Sequence, residues 1–184
     1  MTFKRGARAL VGLTLAGGLL AACSAHPGAA AVVDGEEISE NFLADAVRDF
    51  EVVTGQPTSA AAMISTLAIT PTMLDAAAEF GIGASEEEAT ALLDAQIETV
   101  GGTPPADGYA QGVIEIAQMT LVDQQIQFSE DGMAIGERIA ERIAETDIEL
   151  NPRYGEITAD GNVVPPDYPW LATPTPTPGE LPQG

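Results

Sequence analysis

Cysteine, histidine and tryptophan each occur once among the 184 residues, and lysine does not recur after Lys4. A single cysteine excludes an intrachain disulfide. With Cys23 and His26 its only members, the chain has no set of residues for histidine acid–base work, cysteine catalysis or zinc ligation. Aromatic residues make up 5 %. The core must therefore rest on Ala, Ile, Leu, Val and Met, which favours helices over a β-sandwich. Basic residues are scarce too, 7 against 28 acids for a net charge of −21, and Lys4, Arg5 and Arg8 crowd the first eight positions. Without that segment four arginines face the same 28 acids, a net of −24. Such a surface repels phosphate backbones, so no nucleic acid is expected as a partner. The length allows one domain and rules out a multi-domain machine.

The basic start is followed by Leu10 to Leu20 (LVGLTLAGGLL), an apolar run of about 11 residues. That is too short for a hydrocarbon core of about 30 Å, and it reads as a secretory signal. It ends in Leu20-Ala21-Ala22-Cys23, which resembles the bacterial lipobox, cut immediately before a cysteine that becomes thioether-linked to diacylglycerol. An ordinary signal-peptidase site would explain these residues less fully, because position, small residues and apolar run agree. A lone thiol in an oxidising compartment is a liability unless it is capped, and a lipidated Cys23 carrying acyl chains such as palmitate would cap it. The expectation is a signal peptide over 1–22, then a lipidated Cys23 and tether over 23–31 that includes His26. The mature chain would hang from the extracytoplasmic face of a bacterial membrane.

From Ala31 the pattern is that of a short strand, an Asp34-Gly35 turn and a second strand over Glu36-Glu37-Ile38. Ser39 offers an N-cap to a helix with Phe42, Leu43, Ala46, Val47, Phe50 and Val53 on one side. Glu40, Asp45, Asp49 and Glu51 fall on or near the other side, and Gly55 and Pro57 end it. A helix from Ser59 to about Ile69 should break at Pro71, with another short helix over Met73 to Phe80. Ser85-Glu86-Glu87-Glu88 is a capping box. Its helix runs to Gly101, the next spans about Asp107 to Gln127, and Ser129 caps a last one with Ile135, Ile139 and Ile143 in line. On that helix Arg138 with Glu141, and Arg142 with Glu145, read as i,i+3 pairs on a solvated surface. Ile148-Glu149-Leu150 alternates like a strand, and two further short strands flank Asp160-Gly161. Eight of the 13 prolines lie from Pro152 onward, and residues 172–184 are expected to be a disordered, proline-rich tail.

No Walker A loop, G-x-S-x-G, G-x-G-x-x-G, H-E-x-x-H or C-x-x-C occurs. Carboxylate pairs are the one catalytic option left, and 28 acids make such pairs uninformative. The chain reads as a non-enzyme with no cofactor and no metal assigned. A divalent cation is the alternative, held by oxygen ligands among Asp147, Glu149, Asn151, Asp160, Asn162 and Asp167, though their spacing matches no EF-hand.

Val32-Val33-Asp34-Gly35-Glu36-Glu37-Ile38-Ser39 resembles the opening strand of the extracytoplasmic chaperones that include SurA and the lipoprotein foldase PrsA, with Asp34 where Asn is common. Phe80 to Glu88 is similar to that family's lead-in to its next helix. Asn151-Pro152-Arg153-Tyr154-Gly155, with Pro169-Trp170-Leu171, resembles the ending of compact members assigned to the SurA N-terminal group. Larger members insert a parvulin domain before the closing strand. Here Ile143 runs on to Ile148 and Asn151-Pro152 with no room for one, so prolyl isomerase activity is not carried over.

The resemblance implies a mainly α domain over 32–171, a SurA N-terminal, trigger-factor-like chaperone lobe with short N- and C-terminal strands. It also implies binding of unfolded secreted polypeptides without ATP. Met63, Met73, Met119 and Met133 are the candidate lining of an adaptable apolar client groove, since Met repacks against varied side chains. Two other functions remain open on the sequence: an envelope lipoprotein that docks one specific folded partner, and a divalent-cation-binding surface lipoprotein.

Overall fold

The computed structural model describes residues 27–158 together with 163, 164 and 166. Asp34 and Gly35 both hold positive φ, 50° and 86°, as a two-residue hairpin turn requires. They join β1 (Ala29–Val33) to β2 (Glu36–Ser39), with Val32 opposite Glu37. β1 opens three residues inside the stretch expected as tether, and Ala29, Ala30 and Ala31 are buried. On its other side β1 pairs antiparallel with β3 (Ile148–Leu150), so the sheet order is β2-β1-β3. The two ends of the folded body thus share one sheet. β4 (Glu156–Ile157) and β5 (Val163–Val164) form a separate pair, and α2 packs against β5.

Five helices lie between β2 and β3, so the fold is mainly helical with a few short strands. Ser39 caps α1 (Glu40–Thr54), accepting from the Phe42 N–H at 3.1 Å, and Gly55 ends it in the left-handed conformation. α3 (Glu86–Val100) starts with the full capping box between Ser85 and Glu88 and stops at left-handed Gly101. Serine oxygens supply acceptors to helix N–H groups that have no partner within the helix, while glycine takes a backbone that costs other residues.

Four expectations need correcting. α2 is a single helix, Ala60–Ala78, running through Pro71. Proline removes one N–H and ordinarily breaks a helix, but Leu67, Ala68, Ala76 and Ala77 are buried on both sides of it and α2 packs along α4 and α5. Burial of both halves outweighs the missing bond. α4 begins at Gln111, not near Asp107, because Gly108 takes φ 83° and Ala110 forms the N-cap. α5 (Gly132–Glu145) has Asp131 as N-cap with no side-chain cap bond; the Ser129 hydroxyl instead accepts from the Asp131 N–H at 3.2 Å in the turn before it. Asp49, expected on the polar side of α1, is 2 % exposed and points inward.

α4 packs against α1, α2 and α3 and forms the centre of the main core. The buried hydrophobic side chains are all Ala, Leu, Ile, Val or Met. A smaller cluster joins Ala77, Val122 and Ile135 where α2, α4 and α5 meet. α2 has the length and apolar composition to cross a membrane, and here it is packed among the other helices, with 44 % of its apolar window buried.

Candidate functional site

A cavity of about 660 Å³ opens beside the β1–β2 hairpin, lined also by residues of α1, α2, α4 and α5. Phe42, Leu67, Pro71, Val33 and Ile38 give it apolar surface. Leu67 is buried in the main core and half-buried Phe42 packs against that core, so this surface is an edge of the core. Around it stand six carboxylates, Asp34, Glu36, Glu37, Asp75, Glu115 and Glu145, with one cation, Arg142.

Arg142 is already engaged. Its Nη2 donates to Glu79 Oε1, and Arg138 Nε reaches Glu79 Oε2 at 2.8 Å. Glu79 ends α2 and the two arginines lie on α5, so the triad ties the two helices together. The two guanidinium hydrogen bonds, Arg138 first, hold the Glu79 carboxyl down to about 2. The Arg142–Glu145 pair suggested by spacing gives way to this tertiary one, while Arg138–Glu141 forms at 2.7 Å as expected. Arg142 Nε is buried with no hydrogen-bond partner among the described residues.

Glu115, half-buried on α4, has its pKa raised, chiefly by burial and also by the Glu86 charge; a 3.3 Å hydrogen bond from Gln111 works the other way. None of the six cavity carboxylates is ion-paired among the described residues. The cavity therefore offers apolar contact below and a net negative charge around it.

None of the four candidate methionines lines this cavity. Met63 is core, 2 % exposed. Met119 packs against the core, its sulfur 3.4 Å from the buried Thr70 hydroxyl. Met73 is half-buried on α2, and Met133, at the start of α5, is 83 % exposed. Sequence reasoning missed the cavity because Phe42 and Leu67 carry the helical spacing of ordinary core positions, and only the tertiary fold brings them beside the hairpin and α5. The run Asp34 to Glu37, acidic beside an apolar strand, was the one local hint.

Cys23, His26, the turn at Asp160-Gly161, Trp170 and the tail lie outside the described residues. Of the cation candidates, Asp160, Asn162 and Asp167 lie there too. Asn151 is committed to the backbone, donating through Nδ2 to Ala29 O at 2.9 Å and accepting from Arg153 N at 3.1 Å. Among the described residues no three His, Cys, Asp or Glu side chains gather to hold a metal ion. Compared with family models, curated proteins and solved structures, the chain matches none. The likeness to SurA and PrsA rests on the short motifs quoted above.

Proposed function

We propose that this chain is a lipoprotein anchored through Cys23 on the extracytoplasmic side of a bacterial membrane, where its helical lobe holds unfolded exported polypeptides without ATP. The finer fold assignment, a SurA N-terminal-like chaperone lobe without a parvulin domain, belongs to the same proposal. The observation that carries it is the cavity beside the hairpin, where half-buried Phe42 and exposed Pro71 form an apolar floor over the buried Leu67. An open apolar cavity in a strongly acidic body can hold an apolar segment while like charge keeps copies apart. No catalytic residue, cofactor or nucleic acid enters this reading.

Phe128, 90 % exposed at the end of α4, and Met133, 83 % exposed at the start of α5, favour a second reading, a module that docks one folded partner. The test uses residues 24–184 in an aggregation assay with two unrelated denatured proteins and an equally acidic unrelated protein as control. Suppression of both clients beyond the control supports the chaperone. No suppression, with tight capture of one folded envelope protein lost in Phe128→Ser, supports the docking module instead.

A further inference from the structure

The seven basic residues of the chain divide into four that the structure describes and three in the first eight positions. All four described arginines are spent: Arg48 on Asp45 and Asp49, Arg138 and Arg142 on Glu79, Arg153 on Glu40. The cavity, with six carboxylates on its lining, receives none of them except the Arg142 that Glu79 already holds. None of the six carboxylates is ion-paired among the described residues, and Arg142 is the one cation on the lining.

The strand beside it has a second unfilled capacity. β2 is an edge strand in the order β2-β1-β3. Successive residues of a strand point to opposite faces. A cavity lined by Glu36, Glu37 and Ile38 in succession therefore runs along the strand's edge, where a strand's unpaired backbone groups can accept another chain. β2 is four residues long, about 13 Å at a strand's rise, and the cavity volume lies in the usual range for a small-molecule pocket.

We propose that this cavity takes a short extended segment of an unfolded polypeptide in which apolar residues alternate with Lys or Arg. Alternate side chains of an extended segment point to opposite faces, so one set can lie over Phe42 and Pro71 while the cations meet the β2 carboxylate on the other face, Glu36 and Glu37 being turned opposite ways. This rests on the chaperone reading and deepens it, because it names the kind of client segment selected. Two or three partly exposed ion pairs add up to roughly a tenfold gain in affinity over a neutral segment.

The test uses the whole protein in nanodiscs of zwitterionic lipid, with empty nanodiscs as blank. Fluorescent peptides share the same alternating apolar residues and carry Lys, Gln or Glu between them, and binding is read by anisotropy at low salt. The Lys peptide is expected to bind roughly tenfold tighter than the Gln peptide, with the Glu peptide weakest and the gap closing as salt is added. The triple variant Glu36→Gln, Glu37→Gln, Asp75→Asn changes exposed side chains with no ion pair, so it should unfold as the parent does while losing most of the preference.

Equal affinity for Lys and Gln peptides overturns the inference, as does a preference that survives in the triple variant. Tighter binding of a peptide copying residues 1–12 than of any Lys peptide overturns it in favour of the chain's own leader. Stoichiometric calcium binding lost in the triple variant, without a Lys preference, overturns it in favour of a divalent cation. Aggregation suppression without a Lys preference leaves the chaperone reading standing and removes this one. Lys-peptide binding without suppression does the reverse.

Discussion

Asp34 and Asp147, 113 residues apart, hold each other's backbone: the Asp34 N–H donates to the Asp147 carbonyl at 2.8 Å, and the Asp147 N–H donates to Asp34 Oδ1 at 2.8 Å. The clasp fixes the hairpin turn against the end of α5 and so sets the mouth of the cavity, where Asp34 and Thr146 both stand. Asp34 is the one described non-glycine residue with positive φ. Asp34→Ala loses the side-chain acceptor, and with it the local hydrogen bonding that lets an aspartate hold positive φ, so stability should fall by about 1–2 kcal/mol. Asp34→Asn keeps both the acceptor and the tolerance and should stay near the parent in urea denaturation.

Asp49 of α1 supplies what the start of α4 lacks. Ala110 has no side chain able to cap, and Asp49 Oδ2 accepts from its N–H at 2.7 Å while lying at the positive end of the helix. Asp49→Ala strands that N–H and should cost about 1–3 kcal/mol. Asp45→Ala, which removes only an exposed pair with Arg48, should stay within about 0.5 kcal/mol of the parent. Equal losses in denaturant melts would refute the capping role.

Glu79 gives the acid limb of stability its sign. Its carboxyl titrates at about 2 in the folded chain, below the ordinary 4.5, because Arg138 and Arg142 hydrogen-bond its charged form. A depressed carboxyl contributes stability above the unfolded pKa and loses it as pH falls toward the folded one. Glu88, depressed by its bonds from Ser85, acts in the same direction, and Glu115, raised by burial, acts oppositely. The stability gap between the parent and Glu79→Gln should be full above about pH 5 and close toward about pH 2. A gap independent of pH in that window contradicts the assignment.

Gly112 lets α4 approach the cavity's apolar side. A β-carbon there would lie 3.0 Å from Leu67 Cδ2 and 3.1 Å from the Phe42 ring. Gly112→Val should overpack this contact and cost about 1–3 kcal/mol. In Gly112→Ala the helix preference of about 1 kcal/mol offsets the crowding, and the half-buried Phe42 ring yields toward the cavity. That variant should keep its stability while binding peptides more weakly, read by a thermal melt beside the anisotropy assay.

Cys23→Ala should leave folding unchanged and abolish lipidation. Partition of the mature protein into detergent phase is the readout, and a Cys23→Ala protein that still partitions like the parent would sink the anchor.

The sequence by itself determined the parts that rest on neighbouring residues. The Asp34-Gly35 turn, the Ser39 cap, the Ser85–Glu88 box and the stops at Gly55 and Gly101 were legible because each is decided by hydrogen bonds and φ preferences within about four residues. The shortage of aromatics likewise announced a core of small and aliphatic side chains. Only the tertiary structure decided the rest. Pro71 stays inside α2 because packing along α4 and α5 outweighs a local penalty, and Asp49 turns inward because the start of α4 needs an acceptor from another helix. Arg142 leaves Glu145 for Glu79, and the end of α5 lines a cavity with Phe42 and Pro71. Each of these balances a local preference against partners 40 or more residues away in the chain, and no window of sequence contains both sides of that balance.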